Sequence, residues 1–214
     1  MESASRHQCL IYEGSPSLHL PAMAALVRQK LNEKYRCLYL NSPVMVAGIG
    51  CYLAAAGVDV AHEVEKASLM LSSDQRHLVN GCFDVDRMMG TLEDALNQAQ
   101  SDGYEGLWAT GDMSWELGPQ KDFSKLLEYE WRLEEFFHKH PGLSGICQYH
   151  AATLPREALR QGLLTHPAIF VNETLSRINP HCLPADAYRH QAAMNPELES
   201  MIDDLCQGKD TKSK

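Results

Sequence analysis

The sequence predicts an α/β protein, a three-layer fold whose mostly parallel sheet carries helices on both faces. Three observations predict it. Short apolar or β-branched runs alternate with longer amphipathic patterns; the helical patterns end on glycine or proline; and the first run, "HQCLIY", breaks at a small-residue turn that leads straight into a helix. Alternation of this kind needs crossover connections, which make the joined strands parallel.

Taken in order, strands are expected at 8–12, 35–40, 67–71, 106–111, 143–149 and 168–171, with helices at 18–32, 44–56, 84–99, 123–139 and 155–161. Gly57 stands where a helix C-terminal glycine belongs, Asp102-Gly103 closes the third helix, and His140-Pro141-Gly142 stops the fourth. The stretch "YEWRLEEFFHKH" sets Trp131, Leu133, Phe136 and Phe137 against Arg132, Glu134 and Glu135, the pattern of an amphipathic surface helix. Pro180, Pro184 and Pro196 predict a segment that wraps the surface before a last helix at 196–206. We read one domain over 1–206 and a polar tail over 207–214, with no internal repeat.

Composition narrows the function classes. Hydrophobic residues make up 44% and charged residues 22%, values of a globular chain rather than a disordered one. A formal charge of −9, without a Lys/Arg stripe beyond Lys209, Lys212 and Lys214, argues against direct nucleic-acid binding and against an anionic membrane surface. With no apolar span and no signal-peptide core, a cytoplasmic protein is expected. The seven cysteines lack C-x-x-C spacing and read as reduced, buried thiols.

In such sheets ligands bind beyond the carboxyl ends of the strands. Those ends are Tyr12-Glu13-Gly14-Ser15, Asn41-Ser42, Asp112-Met113-Ser114-Trp115, Tyr149-His150 and Asn172-Glu173. The first has the layout of a phosphate loop, which needs G-x-x-x-x-G-K-[ST] so that backbone N–H groups, a lysine and a hydroxyl hold phosphate and Mg²⁺. Counted from Gly14, the second glycine, lysine and hydroxyl positions hold His19, Leu20 and Pro21. Nucleotide hydrolysis by the standard route is therefore not expected. Ser15 or Ser17 reads as a helix cap. Asp112 stands where a Walker-type enzyme keeps its metal-side carboxylate, and two readings stay open for it: a pocket acid, or a cap on the turn at Met113-Ser114.

At this point the motifs form a familiar series. "HQCLIY" at 7–12, "CLYL" at 37–40, "GDMSW" at 111–115, "CQY" at 147–149 and "HP" at 166–167, with His7, Cys9, Cys147 and His166 among them, resemble the MEDS domain in order and spacing over about residues 5 to 180. The resemblance implies a prokaryotic sensory module for simple hydrocarbon derivatives, found alone or fused to histidine kinases or DNA-binding domains. It also implies a degenerate RecA/KaiC-like fold with the 143–149 strand between the 8–12 and 106–111 strands. No kinase or helix-turn-helix segment is visible here.

The residues themselves offer a pocket set at the carboxyl edge: Tyr12, Glu13, Gly14, Ser15, Asp112, Met113, Trp115, Tyr149 and His150. Aromatic walls with one carboxylate suit a small apolar molecule bearing a polar group; packing under the helices is the competing role for Trp115 and Tyr149. A Cys/His metal site built from His7, Cys9, Cys147 and His150 is not expected, because His7 and His150 fall at opposite strand ends, about 15–20 Å apart. Cys9 and Cys147 read as fillers of tight central positions, and His7 as a partner of a neighbouring loop. No nucleophile with a paired base can be read, so we expect a non-catalytic sensor with no cofactor and no metal. Its expected partners are a small organic ligand, a signalling kinase or transcription regulator, and a second copy of the chain. A divergent nucleotide-binding ATPase and an interaction scaffold are the alternatives.

Overall fold

The computed structural model describes residues 6–73, 78–79, 82–114, 125–171, 176–178, 181–183 and 195–207. The elements run β1 (His7–Tyr12), a 3-10 turn (Pro16–His19), α1 (Leu20–Asn32), β2 (Tyr35–Asn41), α2 (Pro43–Ala55), α3 (Val60–Glu65), β3 (Leu69–Ser73), β4 (Leu78–Val79), β5 (Cys82–Phe83), α4 (Val85–Ser101) and β6 (Gly106–Asp112). They continue with α5 (Leu126–Lys139), β7 (Leu143–His150), α6 (Arg156–Thr165), β8 (Ala168–Val171), β9 (Ser176–Ile178) and α7 (Pro196–Gln207). The main sheet has the order β3-β2-β6-β7-β1-β8-β9, and every neighbouring pair is parallel except β8 with β9. β4 and β5 form a separate antiparallel pair.

The fold class is the expected one, and β7 lies between β6 and β1. Period-two alternation divides each central strand between two cores. Leu10, Tyr12, Cys37, Tyr39, Trp108 and Ile146 pack with α1 and α2. On the other face, Cys9, Ile11, Leu38, Leu107, Cys147 and Tyr149 pack with α4, α5 and α6.

Several elements depart from the sequence reading, each for a local reason. Helix α1 begins at Leu20 instead of 18, because Pro16–His19 forms a 3-10 turn. Neither Ser15 nor Ser17 caps it: the two hydroxyls bond each other at 2.8 Å. The third strand starts at Leu69, two residues late, because Ala67 sits at φ 57° in the left-handed turn that follows α3. Helix α3 itself has no buried residue, hence no apolar stripe to read; the Asp59 side chain caps it by accepting from His62 N at 3.1 Å. Helix α6 continues past Gly162 to Thr165, so that glycine is not a stop. A Cβ there would stand 2.8 Å from the Tyr149 ring, so Gly162 serves close packing. Cys9, Cys37 and Cys147 are buried, but Cys182 and Cys206 are half-buried and Cys51 and Cys82 exposed, a correction to the reading of the cysteines as buried thiols. Residues 123–124, Asn172-Glu173 and the tail from 208 onward lie outside the described residues. Among those described, no helix is long and apolar enough to cross a membrane.

Candidate functional site

Two polar constellations are built from alternate residues of the same strands. The first lies at the carboxyl edge. Register places Tyr12 beside His150, and β6 ends one strand further along at Asp112. The Tyr12 phenol donates to Asp112 Oδ2 at 2.9 Å, while Asp112 Oδ1 accepts from Ser114 N at 2.8 Å and from the Ser114 hydroxyl. The turn-capping role of Asp112 is therefore realised, with a tyrosine on its other oxygen. The Tyr12 ring stacks on His150 with centroids 5.0 Å apart and meets His19 at 4.3 Å. His150 Nε2 donates to the Gly14 carbonyl oxygen at 2.8 Å, and Nδ1 lies 3.0 Å from Thr153 Oγ1. Burial, then the neighbouring Asp112 carboxylate, pushes the Tyr12 phenol far above its ordinary value. Burial also lowers the His19 imidazole, against the opposing bond to the Glu13 carbonyl.

The second constellation lies on the opposite face, between the sheet and helices α5 and α6. His7 opens β1 beside Gly145, where the missing side chain leaves room for Phe137 to stack on the imidazole at 4.5 Å. Two positions further along β7, Cys147 brings its Sγ to 3.7 Å from His7 Nε2. Helix α5 buries Leu126, Tyr129, Leu133, Phe136 and Phe137, and within that stripe lies a carboxylate, Glu130, at 0% exposure. Pro167 keeps the preceding residue out of helical conformation, so α6 ends and His166 turns into the core. There His166 Nδ1 bonds the Gly162 carbonyl at 2.8 Å.

These four side chains converge: one ligand-type atom of each of His7, Glu130, Cys147 and His166 lies within 4.8 Å of every other. Glu130 Oε2 is 3.7 Å from His7 Nε2 and 3.4 Å from His166 Nε2, and Glu130 Oε1 accepts from the Tyr149 hydroxyl at 2.5 Å. The closeness does not make ion pairs. Burial lowers His7 to about 3 and holds His166 well below its ordinary value, so both imidazoles stay neutral. Burial also raises the Glu130 carboxyl to about 8, with the Tyr149 bond pulling the other way.

Beside this cluster lies an apolar cavity of about 30 Å³, bounded by Leu40, Met113, Tyr129, Leu133 and Phe137, with Cys147 on its wall. That is room for roughly two water-sized groups. The cavity reaches the carboxyl ends of β2 and β6 at Leu40 and Met113, and Tyr129, Leu133 and Phe137 of α5 cover it.

Of the residues singled out from sequence, Tyr12, Gly14, Asp112 and His150 come together, and Glu13 and Ser15 are exposed beside them. Tyr149 and Met113 do not join them: alternation turns both to the other face. Trp115 lies outside the described residues. The quartet His7, Cys9, Cys147 and His150 does not assemble, since His150 packs on Tyr12 across the sheet; His7 and Cys147 instead meet His166 and Glu130. His7 bonds Glu134 of α5 at 2.6 Å, a helix and not a loop. Glu130 was legible in principle, as a charged residue three places before Leu133 in an apolar stripe.

A parallel sheet entered by β1, a 3-10 turn in place of a phosphate loop, and helices on both faces define a RecA-type α/β domain. The likeness extends to solved structures. A KaiC-like protein from the hyperthermophilic archaeon Pyrococcus horikoshii OT3 matches with TM-score 0.56 and 10% identity, over 78% of this chain and 71% of its own. An uncharacterized Pyrococcus horikoshii protein, solved with an unknown peptide, matches with TM-score 0.53 and 16% identity, over 80% of this chain and 78% of its own. No curated protein matches the chain. The family model of MEDS, the MEthanogen/methylotroph, DcmR Sensory domain, covers residues 6–167, and the chain belongs to that family.

Proposed function

We propose that this domain is a non-catalytic sensor that binds a small organic molecule, of the size of a simple hydrocarbon derivative, in the apolar cavity beneath α4 and α5. Family membership supports a sensory role. The cavity beside Cys147, about 30 Å³ and walled by Leu40, Met113, Tyr129, Leu133 and Phe137, is the observation that carries the ligand reading. Its walls suit an apolar guest of one or two carbons, and its upper end meets the carboxyl edge where a ligand was expected from sequence. Occupancy would bias the packing of α5 against the sheet through differential affinity for two arrangements. The non-catalytic part of the reading is supported by the carboxyl edge, where Tyr12 and Ser114 already satisfy both oxygens of Asp112. A signalling kinase or transcription regulator is the proposed recipient of the response.

Thermal unfolding across small alcohols, aldehydes, halocarbons and Mg²⁺-ATP tests it. At least one small organic compound should raise the melting temperature, and Leu133→Phe, which fills the cavity, should abolish that rise. Stabilisation by Mg²⁺-ATP alone, lost in Asp112→Asn, would replace this reading with the nucleotide-binding one. A response unchanged by Leu133→Phe would remove the cavity from it.

A further inference from the structure

We propose that His7 Nε2, His166 Nε2, Cys147 Sγ and Glu130 Oε2 bind a single divalent transition-metal ion of the zinc class. The assignment is independent of the small-molecule reading above, although Cys147 borders both places. It departs from the sequence expectation of no metal, which was weighed on another quartet, one in which His7 and His150 occupy opposite strand ends.

Geometry comes first. Tetrahedral zinc with bonds of about 2.0–2.1 Å to nitrogen or oxygen and about 2.3 Å to sulfur separates its ligands by roughly 3.3–3.6 Å. The observed separations are 3.4 Å for His166 Nε2 to Glu130 Oε2, 3.7 Å for His7 Nε2 to Glu130 Oε2 and 3.7 Å for His7 Nε2 to Cys147 Sγ, with every remaining pair inside 4.8 Å. Contraction by a few tenths of an ångström brings these three pairs to ligand spacing. Two imidazoles, a thiolate and a carboxylate form a donor set suited to zinc and unlike the all-oxygen sets of magnesium or calcium.

The outer contacts carry the proposal further. A metal-bound histidine almost always gives its other ring N–H to a carboxylate or a backbone carbonyl, which fixes the tautomer and aims the lone pair. Here His7 Nδ1 meets Glu134 Oε2 at 2.6 Å and His166 Nδ1 meets the Gly162 carbonyl at 2.8 Å. Both rings therefore turn Nε2 to the common centre. Glu130 follows the same logic. Tyr149 holds Oε1 at 2.5 Å, while Oε2, the oxygen nearest both histidines, accepts no hydrogen bond among the described residues. A fully buried carboxylate oxygen in that state costs free energy unless something cationic or a donor meets it. Four strands and helices supply one member each, so the ion would tie β1 and β7 to α5 and the end of α6.

Purified, untagged full-length protein, dialysed against a weak chelator and analysed for metal, should retain about one equivalent of zinc per chain. Replacement by Co²⁺ should give the intense visible bands of a four-coordinate centre and a near-ultraviolet sulfur-to-cobalt charge-transfer band. Cys147→Ser should abolish the charge-transfer band, whereas the double variant Cys51→Ser/Cys82→Ser, at the exposed cysteines, should retain it. Glu130→Gln should weaken Co²⁺ binding by tenfold or more. Wild-type protein without stoichiometric metal and with only the weak spectrum of hydrated Co²⁺ would overturn the assignment, and does so whether or not any variant folds. A charge-transfer band that survives Cys147→Ser would overturn it as well.

Discussion

The two faces of strands β1 and β7 use similar side chains to opposite ends. On the α1–α2 face, Tyr12 and His150 close on partners of fixed complementarity: phenol on carboxylate, imidazole N–H on carbonyl. On the α5–α6 face, His7, Cys147, His166 and Glu130 direct ligand-type atoms toward one point, while the other polar atoms of the two histidines and Glu130 are held from behind. A closed network of this first kind stabilises a turn. A convergent one selects an ion. What separates them is the count of donors against acceptors at the centre, not residue type or burial.

Disturbing the packing that supports the convergent cluster should have the largest effect. Gly162→Ala puts a methyl group against the Tyr149 ring, and we expect a loss of about 2–3 kcal/mol in urea unfolding, together with loss of bound metal. Tyr149→Phe is next. Removing the donor to Glu130 Oε1 should cost about 1–3 kcal/mol in the metal-free protein and lower metal affinity by about 10–100-fold in a chelator competition. Tyr12→Phe sharpens the comparison from the other face. It should cost about 1–2 kcal/mol by the same denaturation, because Asp112 Oδ2 loses its phenol, yet leave metal content unchanged; loss of metal there would break the separation of the two faces.

The smallest effect is a pH dependence at His19. Burial sets its folded value below the ordinary 6.5, so its contribution to stability is complete above that pH and falls away as the pH drops through the lowered value. Comparing urea midpoints at neutral and mildly acidic pH, His19→Gln should flatten part of the loss on acidification. A wild-type slope that the variant reproduces would remove His19 as the source.

Much of the fold was legible because its signals are local and periodic. Alternation in "HQCLIY" and "LSGICQYH" gives strands, and Gly57 and Gly103, both at positive φ, end their helices where glycine is the residue that can. Helix α3 and the β4–β5 pair were not legible, since one buries nothing and the other has two residues per strand. The candidate sites divide in the same way. Tyr12, Asp112 and His150 could be grouped from sequence, and do lie together, because position at a strand end is a property of one segment. Assigning Tyr149 to them failed because alternation within "CQYH" sends neighbours to opposite faces. The cluster of His7, Glu130, Cys147 and His166 joins residues from opposite ends of the domain's sequence, and it needs the β1–β7 register and the α5–α6 contact before it exists. Its one local trace was Glu130, charged where the stripe called for an apolar residue.

The bond from His150 to Gly14 has a consequence for what can approach the carboxyl edge. Phosphate loops attract anions because successive backbone N–H groups point at the ligand. Here the Glu13 and Gly14 carbonyl oxygens are the groups directed at imidazole nitrogens, 3.4 Å from His19 and 2.8 Å from His150, and the acidic side chains at this edge are Glu13, exposed in the turn itself, and Asp112. Two carbonyl lone pairs thus face the imidazoles where a phosphate loop would present N–H groups, an arrangement that favours hydrogen-bond donors over anions at this turn.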